Sequence, residues 1–563
     1  MRNTGISIQA SNPSDEDRHA LLRNSLNKSG RLQDFNNIIK LLKPPPDILN
    51  YASSGEFKKL EVGIIGGGLA GLSAAYELRK LGFNITIFDA LEDRIGGRVY
   101  TYYFDKEKKH YGELGPMRIP VAHETTWHYI NTFGLDTDPF IQSNPNAFVY
   151  LNNTRAKNSP GSIKENIYPK YHLTPWERNT PWDKLYDYAL NFSMNRLHPE
   201  VRSEIFKILP SYNPYYSELI DMSIRENLEV CGLSEDAINM IAGLDGLTGA
   251  IYDVSYNEIL SEDYSENFTY LYRIPGGNVN LPLAFYKSLT SSSPKGYRNI
   301  PDSDLGKITW KGGHFVTGIH KRDYNQEVLL EYKNKTSSKG MIKSFDYVIC
   351  AIPFSTLSTV DINPLFSNKK MQAIREINYV NAQRTLLYCK KRFWEENKDY
   401  GNINGGISYT DMPITNIVYP PDHISTGLNP DEPGVLVGSY NLNKYAVHLG
   451  NMIPEQVPEL VKRQVEKVHG LPKYYLDSIV IDSKYINWND EPWFRGDLAY
   501  FTPGQKRLFS HEIIRPEYNN RIFFAGEHTS TTHAWMQGAL HSGKLAANSL
   551  AYNAKRSAQS EAF

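Results

Sequence analysis

The sequence predicts an α/β fold: a parallel sheet flanked by helices, a second sheet, and a helical insertion. Three observations carry that prediction. The run VGIIGGGLAGLSAAYELRKLGFNITIFDA, Val62 to Ala90, reads as strand, glycine turn, helix and strand. From about 135 to 265 helix-start signals dominate, and after them short apolar runs return in two separated groups.

The elements follow in chain order. LQDFNNIIKLLK carries an apolar stripe at helical spacing and is stopped by Pro44, Pro45 and Pro46, which predicts an arm over residues 1–60 that packs on the body. Val62, Ile64 and Ile65 form a short buried strand. Leu72, Ala75, Tyr76 and Leu78 share one helix face, Arg79 and Lys80 complement the helix dipole in its last turn, and Gly82 ends it. Asn84 to Asp89 is the next strand. Thr180-Pro181-Trp182-Asp183 and Ser234-Glu235-Asp236 open the helices WDKLYDYAL and DAINMIAGL. HFVTGIH, EVLLEY and FDYVICAIP then read as strands, KGYRNIPDSDLGK as a polar connection, and RTLLYCKKRF, ITNIVY and GVLVGSY as a second sheet. The chain closes with RIFFAGEHT and a small-residue helix, GALHSGKLAANSLAY.

Length and composition bound the function. At 563 residues the chain holds three or four packed units on a prior of roughly 150 residues each. Lys plus Arg number 61 against 62 Asp plus Glu, so no whole-molecule field draws it to nucleic acid or to an anionic membrane. The scattered Cys231, Cys350 and Cys389 form no CxxC pair, which argues against a disulfide framework or a metal site and favours a reducing, cytoplasmic setting. No signal sequence or membrane span is read.

Gly66, Gly68 and Gly71 form a GxGxxG between strand and helix. Gly66 makes the turn, Gly68 admits a pyrophosphate to the backbone, and Gly71 lets helix pack on sheet, with Leu69 and Ala70 opening the helix toward the phosphates. Asp89, eighteen residues after Gly71, closes the second strand where a carboxylate accepts from a ribose diol, with Ala90 beside it. These residues specify a dinucleotide site of the Rossmann type and leave NAD and FAD open.

Two further segments decide between them. EDRIGGRVYT, with Gly97 and Arg98, and RIFFAGEHT, with Gly526 and Glu527, together resemble the FAD-dependent amine and amino acid oxidase superfamily, from about 60 to 550. The resemblance implies FAD, held without a covalent link because no cysteine follows Cys389. It implies that Arg98 meets the phosphates, that Glu527 lies near the pyrophosphate or ribityl chain, and that Val316 touches the adenine side. ELGPMRIP, with Gly115, Pro116, Met117 and Arg118, looks like the loop that in L-amino acid oxidases passes the flavin and presents an arginine to the substrate carboxylate. HAWMQGAL, with Ala534, Trp535, Met536 and Ala539, looks like the segment beside the flavin ring. A carboxylate brought next to an apolar flavin needs a cation, and a guanidinium fork makes two charge-assisted bonds to it. GVLVGSY is similar to a strand whose tyrosine shares that role, with Tyr440 favoured over Ser439. Arg384 stands where most relatives carry a lysine that holds a water near flavin N5.

The resemblance implies a FAD-binding domain over 61–110, 270–355 and 485–563, a substrate domain over 111–135 and 356–484, and a helical domain over 136–269. The expected reaction is oxidative deamination of an L-amino acid by hydride transfer from Cα to flavin N5, giving 2-oxo acid, ammonia and hydrogen peroxide from oxygen. Arg118 and Tyr440 fix the carboxylate, a backbone carbonyl near Ala534 takes the amino group, and Trp535 aligns Cα. Two other outcomes stay open: an amino acid 2-monooxygenase, and a dehydrogenase that Arg384 permits. So does a flavin-bound interaction protein without catalysis. A homodimer or higher homo-oligomer is expected. The insertion acids Asp245, Asp253 and Asp263 read first as solvated surface charge; one of them, Asp253 the named contact, meeting a basic side chain would mildly favour basic substrates.

Overall fold

A computed structural model describes residues 9–291, 294, 296–322, 327–421 and 429–561. The first eight residues of the expected arm, Lys295 of the polar connection and the last two of the C-terminus lie outside the described residues. The arm contains two α-helices, Asp15–Lys28 and Phe35–Leu42. Ser14 and Asp17 close a capping box on the first, and the prolines from Pro44 onward stop the second. Arg31 ties the arm down by donating to the carbonyls of Tyr264 and Asp263 at 3.0 and 2.7 Å, while Asp34 pairs with Arg202 at 3.1 Å.

The glycine run forms the predicted strand–turn–helix–strand, with strands Glu61–Ile65 and Asn84–Asp89 around the helix Leu69–Lys80. Five parallel strands make the sheet, in the order Ile308–Gly312, Asn84–Asp89, Glu61–Ile65, Tyr347–Cys350, Ile522–Phe524. Strands more than 400 residues apart thus lie in one sheet, because each is apolar on both faces and needs cover on both. The last helix, Met536–Glu561, packs on Leu69–Lys80. A Cβ on Gly543 would stand 2.2 Å from the Ala70 carbonyl oxygen, and the Ser73 hydroxyl donates to Leu540 O at 2.9 Å.

The second sheet has seven strands, in the order Val480–Asn487, Ala382–Cys389, Gly434–Leu442, Asn416–Tyr419, Gly406–Thr410, Phe148–Leu151, Thr154–Lys157. Its last two strands correct the sequence reading, which took this stretch as helical. Asn152 and Asn153 both have positive φ, 49° and 57°, and so make the two-residue hairpin turn that matches strand twist. The helices Trp182–Asn195 and Glu235–Leu244 form as expected. Ser234 caps the second by accepting from Ala237 N at 3.2 Å, but Thr180 donates to the Trp176 carbonyl instead and leaves the first without a side-chain cap.

Candidate active site

A cavity of about 510 Å³ opens at the carboxyl ends of the parallel strands, where Ile65, Asp89 and Ala351 line it, the position at which doubly wound sheets take ligands. The glycine turn forms one wall. Gly66 has φ +104°, and a Cβ there would meet the Ala351 carbonyl at 2.9 Å. A Cβ on Gly71 would lie 2.0 Å from Gly66 O, whereas one on Gly68 would meet nothing within 4 Å. Gly71 therefore serves the packing of helix on sheet and does not line the cavity, while Gly68 leaves open space beside the first turn of the helix. Leu69, Ala70 and Ala90 line the same wall.

Asp89 has one oxygen accepting from Leu91 N at 3.0 Å and the other buried without a partner. Burial pushes its carboxyl up to about 6. An orphaned buried oxygen is costly until donors reach it, and a ribose diol supplies such donors. GGR and AGE meet here although they are 429 residues apart. Arg98 donates to Glu527 at 2.9 Å, and Glu527 accepts from the backbone N–H groups of Ala499 and Ala534 at 3.2 Å each. Gly96 bridges to Gly68, so the two glycine turns abut. Gly97, Gly526 and Val316 line the cavity too. Gly115 does not, because its α-carbon packs where a Cβ would meet Arg98 O at 2.0 Å. These residues fit a dinucleotide: an open glycine turn at a helix N-terminus, an arginine, and an acid with an unmet acceptor.

The other half of the cavity gathers Arg118, Tyr440, Trp535, Arg384, Met117 and Glu262, with Pro116, Ala534, Met536 and Ala539 at its edge. Arg118 is held because Ile119–Pro120 pairs with Leu271–Tyr272, and Asn278 anchors Pro116 O at 2.9 Å. Its guanidinium donates to Gln142 Oε1, stacks 5.2 Å from the Phe268 ring, and has no carboxylate within ion-pair distance among the described residues. Burial lowers its pKa, against the opposing influence of Tyr440, Tyr409 and Glu262. Arg384 and Tyr440 are cross-strand partners, and the guanidinium carbon sits 4.0 Å from the ring centre. Arg384 also donates to the carbonyls of Gly115 and Glu113, which pins it to the Arg118 loop. Trp535 donates its indole N–H to Glu262 at 3.1 Å and meets the His123 ring edge-on at 5.0 Å. Ala534 holds φ +66°, strained backbone that Glu527 supports through the Ala534 N–H.

Residues 69–551 match the family described as flavin containing amine oxidoreductase. The chain belongs to that family. This amine oxidoreductase is 29% identical over 535 residues to an L-amino-acid oxidase of Sistrurus catenatus edwardsii, covering 93% of this chain and 92% of the relative. It is 30% identical over 493 residues to an L-amino-acid oxidase of Daboia russelii, covering 86% and 87%. Among solved structures it resembles putrescine oxidase bound to putrescine, with TM-score 0.61, 16% identity and coverage of 87% and 98%. It also resembles cyclohexylamine oxidase of Brevibacterium oxydans, with TM-score 0.62, 15% identity and coverage of 88% and 100%. The family's cofactor is a flavin and its substrates are small amines. Among the described residues no helix is long and apolar enough to cross a membrane, and no group of three or more His, Cys, Asp or Glu is placed for a metal ion.

The residues predicted from the motifs all line this cavity except Gly71 and Gly115. Strand alternation settles the open register: Tyr440 faces the cavity and Ser439 faces away, donating to Gln383 at 3.1 Å. The insertion acids are a correction. Asp253 is exposed and accepts from Asn443 at 2.8 Å, Asp245 accepts from Thr248 at 2.9 Å, and neither they nor Asp263 line the cavity. The acid of the insertion that does is Glu262, which sequence reasoning missed. SEDYSEN has the polarity of a solvated helix end, and only the fold buries it.

Proposed function

We infer that this amine oxidoreductase is a FAD-dependent L-amino acid oxidase. Arg118 carries the reading: a buried guanidinium in the cavity, without a carboxylate partner among the described residues, is complemented by a substrate carboxylate. Simple amines offer it nothing. The full-length likeness to L-amino-acid oxidases supports the same substrate class.

Asp89 would hold the ribose, Arg98 and the Gly68 turn the diphosphate, and Val316 the adenine side. Cys231, Cys350 and Cys389 are buried and none lines the cavity, which supports a non-covalent cofactor. FAD supplies, when bound, a two-electron acceptor for the Cα hydride. Arg118 and Tyr440 hold the carboxylate, Trp535 walls the Cα, and the apolar Leu247, Ile251 and Phe268 exclude water from the substrate. The balanced reaction takes an amino acid, oxygen and water to a 2-oxo acid, ammonia and hydrogen peroxide.

The test is an anaerobic bleaching screen of L- and D-amino acids and of their decarboxylated amines. L-amino acids should bleach the flavin about 10²- to 10⁴-fold faster than the amines; bleaching by amines alone overturns the reading. Arg384, pinned by loop carbonyls in the cavity, keeps one second reading open, a dehydrogenase that passes the electrons to a quinone. Bleaching by L-amino acids with quinone turnover and without peroxide would identify it.

A further inference from the structure

Glu262 lies on the helix Tyr256–Tyr264, is 6% exposed, and has no cation within ion-pair distance among the described residues. One oxygen accepts from the Tyr500 hydroxyl at 2.7 Å and from the Trp535 indole at 3.1 Å. The other has no donor among the described residues, and the residue lines the chamber that Arg118 lines. A buried guanidinium and a buried carboxyl, each without an ion-pair partner among the described residues, therefore line one space. An isolated buried charge costs several kcal/mol after relaxation. An amino acid zwitterion supplies both complements at once, a carboxylate for Arg118 and an ammonium for Glu262.

We propose that Glu262 is the general base of the site, its free oxygen taking a proton from the substrate's α-ammonium. The proposal rests on the amino acid reading above. An O–H bond forms on Glu262 as an N–H bond of the ammonium breaks, and the released lone pair stays on nitrogen, where oxidation of the C–N bond requires it. No electrons change hands in this step, and the proton leaves to solvent when product departs. The surroundings suit the task. Burial raises the carboxyl to about 7, offset in part by the Tyr500 and Trp535 bonds and by Arg118, with Asp263 adding to the rise. A base poised near neutrality is the effective kind at neutral pH. Glu258, one turn earlier, is already engaged by His533 at 2.9 Å and by Phe501 N at 3.3 Å. Tyr500 and Trp535 bind a single oxygen, so they orient the carboxyl and leave its other acceptor for the ligand.

Glu262→Gln keeps an amide oxygen for Tyr500 and Trp535 and abolishes the base. Anaerobic flavin reduction by the standard L-amino acids is followed by stopped flow from pH 6 to 10 in holoenzyme. Relative to wild type, the variant should lose about 10²- to 10⁴-fold in rate at pH 7 and recover most of it by pH 10, where the substrate amine is already neutral. Glu262→Asp should restore part of the neutral rate. A variant within threefold of wild type at pH 7 overturns the proposal, and so does an equal loss at pH 7 and pH 10, which would make Glu262 a support for Trp535 only. Failure of wild type to bleach with any amino acid overturns the substrate reading itself, and this proposal with it.

Discussion

Arg118→Met removes the guanidinium and keeps an unbranched apolar chain of similar reach. Hydrogen bonds to a charged group contribute about 1.5–3 kcal/mol each. Two to a substrate carboxylate make about 3–6 kcal/mol, or roughly 10²- to 10⁴-fold in kcat/KM. The protein itself should not suffer in proportion. Among the described residues Arg118 has no ion-paired carboxylate to strand, and its loss takes a donor from Gln142 Oε1 and a favourable charge from near Glu262 while relieving a buried cation. Melting of the variant should therefore stay within a few degrees of wild type. The assay is anaerobic flavin reduction by an L-amino acid and by the amine left on its decarboxylation. The amino acid should lose the full factor and the amine none, so the preference between them collapses. An equal loss for both, or an amino acid rate within fivefold of wild type in a folded variant, refutes the role given to Arg118.

Further outcomes follow from the cofactor half and the glycine turn beside it. Asp89 has its carboxyl raised from an ordinary 3.8 to about 6, so the cofactor-free protein loses stability as pH rises between those values; Asp89→Asn should stabilise it above pH 6 by up to about 3 kcal/mol and not at all below pH 4, while weakening FAD binding, as denaturation and flavin titration at both pH values would register. Gly71→Ala drives a Cβ to 2.0 Å from Gly66 O and should destabilise the protein by about 1–3 kcal/mol. Gly68→Ala meets no protein atom within 4 Å and should weaken flavin retention alone, so equal melting losses in the two variants would contradict the assignment. Acid precipitation should release the yellow chromophore to the supernatant, and colour in the pellet would exclude a non-covalent flavin.

The glycine turn, its helix and Asp89 were legible because their signals are local. A GxGxxG needs its spacing, and the strand and helix around it are written in runs of 5 and 12 residues. Arg118, Glu527 and Trp535 were legible through short motifs that resemble a family. The hairpin at Asn152-Asn153 is equally local, an Asn-Asn pair between two short strands, set in a stretch whose helix-start signals lie further along the chain. Glu262 had no such signal. Its burial comes from Tyr500 and Trp535, 238 and 273 residues further along, and nothing in SEDYSEN distinguishes it from Asp263.

The chain's own residue order determined a dinucleotide-binding α/β scaffold and the types of residue gathered for chemistry, since backbone turn geometry and side-chain charge act over a few neighbours. Which acid faces the cavity, which of Ser439 and Tyr440 turns inward, and which cation has no counter-ion among the described residues were decided only by the tertiary structure. Burial and pairing are set by whatever distant segment comes to lie alongside, and that contact exists only once the two sheets and the insertion have packed together.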